Sequence, residues 1–419
     1  MQKLVINGGK RLKGELAVQG SKNSSLPILA GSLLCGEECR LTNCPVLTDI
    51  YSALRILGHT GCKCVFSENT ADIDPKNVNC TEIPEELMRE MRSSIIFMGA
   101  MLGRTGECTV SIPGGCELGP RPIDMHISAM KKMGIDVKEK YGRIFCKARS
   151  GKAQGAKINL SFPSVGATEN IILCAVTAEG ETIINNSARE PEICDLCGFL
   201  RACGADIKGD GESTIVIKGK QKLHGCEYRI MPDRIVCATY LSMVSATGGE
   251  LILTDACVPE TEPFISVLEQ TGCSIYTKEN TIYLHSGSRL KAVKDRIRTM
   301  PHPCFPTDAQ AVLMSALAVA DGTSIFEENI FDCRYRHTDA LIKMGADIQV
   351  IGKTAVVKGV EKLHGANVDA TDLRGGASMV IAGLTAEGTT EIGKISHIDR
   401  GYERIERAVR LLGGDITRV

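Results

Sequence analysis

One loop and six helix starts hold the residues of this sequence that could do chemistry. The loop reads Pro113-Gly114-Gly115-Cys116-Glu117-Leu118-Gly119-Pro120-Arg121-Pro122-Ile123-Asp124. Proline and glycine at this density mark an exposed, shaped segment, and a cysteine at its tip is poorly placed to be core filler. Arg121 follows five residues later, where a cation can tune a thiol's acidity. An incidental surface cysteine is the plainer alternative. The helix starts read Ser21-Lys22-Asn23, Arg92-Ser93-Ser94, Ser164-Val165-Gly166-Ala167-Thr168, Asp233-Arg234, Thr307-Asp308 and Arg374-Gly375-Gly376. Ser, Thr and Asp cap orphan N–H groups, which accounts for Ser164, Thr307 and Asp233. It does not account for Lys22, Arg92 and Arg374, because a cation opposes the positive end of a helix dipole. A cation belongs there when an anion lies between it and the N–H groups. Six such starts converging would make a site for several anionic groups.

The elements that would position these residues recur. Gly36-Glu37 leads to Leu57-Gly58, Gly106-Glu107 to Met133-Gly134, Gly180-Glu181 to Cys203-Gly204, Gly249-Glu250 to Thr271-Gly272, Gly322-Thr323 to Met344-Gly345, and Gly388-Thr389 to Leu412-Gly413. The opening glycines are 70, 74, 69, 73 and 66 residues apart, so six units span the chain. In each, an apolar helix such as Ile171–Ala178 or Ala311–Ala320 precedes the first glycine. A β-branched strand follows, as in Thr182–Asn186 or Glu250–Thr254. An amphipathic helix comes next, as in His337–Met344, with its closing glycine suited to a left-handed C-cap. A strand pair such as Ala346–Ile351 and Thr354–Lys358, turning on Gly352 and Lys353, ends the unit. Alternating helical and strand periods predict α/β units. Six of them could stack in one array or close as two groups of three.

Composition narrows the function. The chain has 419 residues, enough for two or three domains, and a net charge of −1. That balance argues against a general nucleic-acid or membrane-surface binder. Without Trp and with 4% aromatics, a base-stacking platform is not expected. No signal peptide or membrane span is read, so the expected location is the cytoplasm. The 19 cysteines are scattered and odd in number, as reduced core filler would be. Cys194 and Cys197 form a lone C-x-x-C with no second pair or His pair at suitable distance, so no metal site is expected.

These residues, in this order and at these intervals, give the chain a family resemblance over essentially its whole length. The sequence resembles the UDP-N-acetylglucosamine enolpyruvyl (1-carboxyvinyl) transferases. The resemblance rests on Gly20-Ser21-Lys22-Asn23, Met91-Arg92-Ser93-Ser94, Pro113 to Asp124, Val165-Gly166-Ala167-Thr168, Pro232-Asp233-Arg234, Phe305-Pro306-Thr307-Asp308, Asp372-Leu373-Arg374-Gly375-Gly376 and His397-Ile398-Asp399-Arg400-Gly401-Tyr402. It implies the two-domain inside-out α/β barrel, with three repeats per domain, helices buried and sheets outside. One domain would span residues 21–232. The other would join 1–20 to 233–419, with the active site in the cleft between them.

The implied reaction moves the enolpyruvyl group of phosphoenolpyruvate onto the 3-hydroxyl of UDP-N-acetylglucosamine and releases phosphate, with no cofactor. Lys22, Arg121, Arg334, Arg374 and Arg400 match the cations that gather phosphoenolpyruvate, and Asn23 and Arg92 match positions bridging toward the sugar nucleotide. Arg121, Pro122, Ile123, Asp124 and Met125 match the uridine-binding loop, Ser164 and Val165 the diphosphate site, and Asp308 and Ile330 contacts to the nucleotide sugar. Cys116 matches the general acid that protonates C3 and the thiol that an electrophilic phosphonate such as fosfomycin modifies. Asp308 matches the base for the sugar hydroxyl.

Two places depart from the family pattern: Cys304 stands where Gly is usual, and Asp332-Cys333-Arg334-Tyr335 replaces Glu-Asn-Arg-Phe. Neither removes a proposed catalytic position. The sister family acting on shikimate 3-phosphate is not built around a Cys in a Pro-Gly-Gly loop. A non-catalytic nucleotide-sugar sensor would not need both Cys116 and Asp308. A paralogue using another UDP-sugar would keep every feature above. Nothing in the sequence demands an oligomer, so a monomer is expected.

Overall fold

A computed structural model describes residues 2–112, 122–220 and 222–419. These divide into two compact units, one of residues 20–112 and 122–231, the other of residues 2–19 and 232–419. Each unit is built on three helices that are buried nearly all round. In the first they are Lys22–Ser32, Ile96–Thr105 and Val165–Ala175; in the second, Arg234–Thr247, Thr307–Leu317 and Leu373–Thr385. Arg234–Thr247 is buried without a break from Arg234 to Ser245. A helix with no polar stripe has no face to offer water and sits inside.

The three helices of each unit pack on one another. Small residues permit the closest approach. A Cβ on Gly99 would lie 2.3 Å from the Asn170 carbonyl oxygen, and one on Gly103 would lie 2.7 Å from that of Leu173. The gap is bridged by the Gly99 N–H, which donates to Asn170 Oδ1 at 2.6 Å.

Sheets cover the helices. Their strands alternate, as in Thr214–Lys218, where Ile215 and Ile217 are fully buried between more exposed neighbours, the pattern of a sheet with one wet face. Asp347–Ile351 and Thr354–Lys358 pair antiparallel with Ile351 opposite Thr354, so Gly352 and Lys353 form the expected two-residue turn. The helix expected over 337–344 is shorter: a 3₁₀ turn, Arg334–His337, leads into Thr338–Lys343.

Five closing glycines cap their helices with positive φ, among them Gly204 at 97° and Gly345 at 96°. The first repeat differs from expectation. Its helix Thr48–Thr60 runs through Gly58 and ends on Gly61 at φ 103°. His59 and Thr60 continue the helix, and Gly61 takes the left-handed position.

Distant strands close each unit. Glu227–Arg229, at the end of the third repeat, lies parallel to Cys39–Thr42 of the first. Lys13–Ala17 lies parallel to Gly249–Thr254. Leu4–Asn7 lies antiparallel between Thr389–Gly393 and Asp415–Arg418, so the N-terminus supplies the hairpin strand that the sixth repeat lacks. No helix among the described residues is long and apolar enough to cross a membrane.

Candidate functional site

In the unit that carries the C-terminus, Asp308, Arg334 and Arg374 meet. The helix Thr307–Leu317 starts after Pro306, which has no side chain to cap it. Thr307 does not cap, contrary to the sequence reading; its hydroxyl donates to Glu328 Oε2 at 3.0 Å. Asp308 therefore brings a carboxylate to the positive end of the helix. Arg334 opens the turn Arg334–His337 with its side chain 2% exposed. Its Nη2 donates to Asp308 Oδ1 at 2.7 Å and to the Thr307 carbonyl at 3.1 Å, and its guanidinium lies over the Phe331 ring.

Arg374 is equally buried and stands 3.7 Å from Asp308 Oδ2. Asp372 Oδ1 caps its helix, accepting from the Arg374 and Gly375 N–H groups at 3.0 and 3.1 Å. The Arg374 Nη1 donates to the Tyr402 hydroxyl at 3.1 Å. Burial alone would lower the Arg374 pKa; Tyr402, Asp308 and Asp233 outweigh it and raise the value above the ordinary one. Gly376 leaves room for Ile398, whose side chain a Cβ would meet at 2.6 Å. The turn Ile395–Arg400 thereby seats on this helix and carries Arg400, which is half-buried. Ile330 is fixed by Glu328, whose Oε1 accepts from the Ile330 and Phe331 N–H groups at 2.8 and 3.0 Å.

The second group lies in the other unit. Ser21 caps the helix Lys22–Ser32 by accepting from the Ser24 N–H at 3.2 Å. Lys22 Nζ is 2.8 Å from Asp49 Oδ2, both side chains nearly buried, and Asn23 is half-buried. Arg92 opens the 3₁₀ turn Arg92–Ile95 and Asp124 opens the helix Asp124–Lys132. Both act on the ring of His126, which burial, helped by Arg92 and opposed by Asp124, pushes down to about 4. The imidazole is therefore neutral at pH 7, and its Nδ1 accepts from Asn170 Nδ2 at 2.7 Å. Ser164 caps Val165–Ala175, accepting from the Ala167 N–H at 3.3 Å, and Gly166 lies against the His126 ring. Arg92, Asp124 and the start of the Val165–Ala175 helix thus surround one buried histidine. Pro122 is exposed, while Ile123, Met125 and Val165 pack against the core. Cys116 and Arg121 lie outside the described residues.

Sequence reasoning missed the acids and the histidine that hold these groups in place. Asp49 and Glu328 are both almost fully buried. Asp49 gave one signal, an acid on an otherwise apolar helix face. Glu328 and His126 gave none without their distant partners. Thr307 shows that the capping signature names a residue type, not its partner.

Chemically, two buried guanidiniums share one carboxylate. Arg334 Nε has no hydrogen-bond partner among the described residues. A buried donor of that kind suits a planar or tetrahedral oxyanion, which a guanidinium fork binds in fixed geometry. Among the described residues, metal-ligating atoms gather only at Cys35, Cys39 and Cys203, at the other end of the Lys22–Ser32 helix from Lys22.

The chain matches the family model described as EPSP synthase (3-phosphoshikimate 1-carboxyvinyltransferase) over residues 6–409. A protein of Caldanaerobacter subterraneus named UDP-N-acetylglucosamine 1-carboxyvinyltransferase 2 is 51% identical, with 100% of each chain covered. A Nitratidesulfovibrio vulgaris protein named UDP-N-acetylglucosamine 1-carboxyvinyltransferase is 46% identical, covering 100% of this chain and 99% of its own. Among solved structures, the enolpyruvyl transferase NikO of Streptomyces tendae superimposes with a TM-score of 0.90 at 23% identity, covering 100% of this chain and 99% of that one. At that identity the likeness is one of fold. Full-length identity and fold together place the chain in the enolpyruvyl transferase family, with the UDP-N-acetylglucosamine 1-carboxyvinyltransferases.

Proposed function

We propose that the chain transfers the enolpyruvyl group of phosphoenolpyruvate to the 3-hydroxyl of UDP-N-acetylglucosamine, releasing phosphate, as a cytoplasmic monomer without a cofactor. This is the first committed step of bacterial peptidoglycan synthesis. The observation that carries the site assignment is the Asp308 carboxylate held 2.7 Å from Arg334 and 3.7 Å from Arg374. Phosphoenolpyruvate brings a carboxylate and a phosphate, and repulsion between them and the nucleotide diphosphate must be offset by gathered cations. In this reading Lys22, Arg121, Arg334, Arg374 and Arg400 hold phosphoenolpyruvate, and Asn23 and Arg92 bridge toward the sugar. Arg121 to Met125 hold the uridine, Ser164 and Val165 the diphosphate, and Ile330 and Asp308 the sugar. The neutral His126 is a positioning residue. Because it carries no charge at pH 7, it does not compete with Arg92 for an anion.

The chemistry is addition followed by elimination. Asp308 takes the proton of the sugar 3-hydroxyl as its oxygen bonds to C2 of phosphoenolpyruvate. The Cys116 thiol delivers a proton to C3, which consumes the double bond and gives a tetrahedral intermediate. A thiol of ordinary pKa near 8.5 keeps that proton available at neutral pH. Loss of a proton from C3 then expels phosphate from C2 and restores the vinyl group. General acid and base each contribute about 10²–10⁴-fold to such a sequence.

Incubation with phosphoenolpyruvate and either UDP-N-acetylglucosamine or shikimate 3-phosphate, read by mass spectrometry, tests the proposal. An enolpyruvyl adduct of the nucleotide sugar alone is expected. An adduct of shikimate 3-phosphate alone overturns the proposal, as does nucleotide-sugar binding with no product.

A further inference from the structure

Four cysteines that the reaction does not use converge in the unit of residues 20–231. Cys35 follows the helix Lys22–Ser32, and Cys39 opens the strand Cys39–Thr42. Cys203 ends the helix Pro191–Ala202, and Cys226 precedes the strand Glu227–Arg229. The Sγ atoms of Cys35, Cys39 and Cys203 all lie within 4.8 Å of one another. Cys226 Sγ is 3.4 Å from Cys203 Sγ. All four thiols are free; the first three are fully buried and Cys226 is half-buried.

Backbone hydrogen bonds fix the two pairs against each other. The Gly36 N–H donates to the Leu223 carbonyl at 2.8 Å, and the Arg40 N–H to the Cys226 carbonyl at 2.9 Å. Within the second pair, the His224 N–H donates to the Cys203 carbonyl at 3.0 Å. Packing alone does not require four sulfurs to meet, since any small apolar side chain fills such a space. A tetrahedral thiolate site does require it. With zinc–sulfur bonds of about 2.3 Å, the sulfurs stand about 3.8 Å apart. Cys35, Cys39 and Cys203 lie within 4.8 Å of one another and Cys226 is 3.4 Å from Cys203, so a shift of Cys226 toward Cys35 and Cys39 completes the set. The spacing Cys35-x-x-x-Cys39 falls in the range of structural zinc pairs.

We propose that Cys35, Cys39, Cys203 and Cys226 form a tetrahedral four-thiolate site for Zn²⁺. Each ligand binds as thiolate, so metal uptake releases thiol protons to solvent. The ion ties the first repeat to the third where Glu227–Arg229 closes the unit, and half-buried Cys226 gives it a way in. Lys22 lies at the opposite end of its helix, about 16 Å away at 1.5 Å per residue, so the site is structural and takes no part in transfer.

The test uses the full chain, purified and kept reduced. Metal is removed with a chelator and Co²⁺ is titrated in, reading the thiolate-to-cobalt charge-transfer band and the intense visible bands of tetrahedral cobalt. Wild type and the Cys194→Ser/Cys197→Ser control should each take up one equivalent with those bands. Cys35→Ser should lose them. Cys226→Ser, at the half-buried position, should fold as wild type by circular dichroism and still lose them. Zn²⁺ should raise the unfolding temperature of wild type and not of Cys226→Ser. Two results overturn the proposal: reduced wild type that binds no stoichiometric cobalt, or bands unchanged in Cys226→Ser.

Discussion

Replacing Asp308 separates the two jobs its carboxylate does. It holds the buried Arg334 guanidinium at 2.7 Å and, in the proposed reaction, takes the sugar hydroxyl proton. A hydrogen bond to a charged group contributes about 1.5–3 kcal/mol. The second contact, to Arg374 at 3.7 Å, adds little, because the Asp308 side chain is 30% exposed and partly screened. Asp308→Ala leaves two buried guanidiniums without their shared counter-ion and should cost about 2–3 kcal/mol of folding stability. Asp308→Asn keeps an oxygen that accepts from Arg334 and should cost about 1 kcal/mol. Turnover should not follow that order. Both variants lose the base, so kcat should fall about 10²–10⁴-fold in each, or about 3–5 kcal/mol of barrier. Urea unfolding midpoints give the first quantity, and steady-state phosphate release with the nucleotide sugar varied gives the second. Asp308→Asn turning over near the wild-type rate refutes the base assignment. Asp308→Ala as stable as Asp308→Asn refutes the claim that this carboxylate holds Arg334.

Other consequences are independent of Asp308. Gly99→Ala places a methyl 2.3 Å from the Asn170 carbonyl oxygen and should cost about 1–3 kcal/mol. Gly58→Ala, with nothing within 4 Å on an exposed helix position, should gain up to about 1 kcal/mol; equal melting temperatures would refute the close helix contact. His126 has a folded pKa near 4, below its ordinary 6.5. The stability it contributes is therefore present above about pH 6.5 and is lost as the pH falls toward 4, by up to about 3 kcal/mol. His126→Gln should flatten that part of the stability–pH curve, and an unchanged slope would contradict a neutral buried ring. Cys116→Ser should bind the nucleotide sugar normally by calorimetry yet turn over poorly, because a hydroxyl is a far weaker acid; normal turnover would remove the acid role.

The repeat was legible because it is written locally. Strand and helix periods alternate, and glycines such as Gly204 and Gly345 mark left-handed helix ends that only a residue without a Cβ adopts easily. Where two glycines lie close, the signal is ambiguous. Gly58 and Gly61 both suit the end of one helix, and the difference rests on whether His59 and Thr60 stay helical. Partners distant in sequence left no mark. Leu4–Asn7 completes a sheet with Asp415–Arg418, and Cys39 meets Cys203 from across the unit. Of the site, Lys22, Arg92 and Arg374 were visible as charges in unfavourable helix positions, whereas Arg334 and Arg400 came only from the family resemblance. The acids that hold them, Asp49 for Lys22 and Asp308 for Arg334, became pairs only once the turns between them were in place. Thr307 was read as a cap because its type fits, but Glu328 takes its hydroxyl.

Phosphate release from phosphoenolpyruvate tests the central claim most directly, measured with and without UDP-N-acetylglucosamine for the wild type and for Cys116→Ala. Release that depends on the nucleotide sugar in the wild type, and is abolished in the variant, is the predicted result. No release from a wild type that binds the nucleotide sugar, or undiminished release in Cys116→Ala, would contradict it.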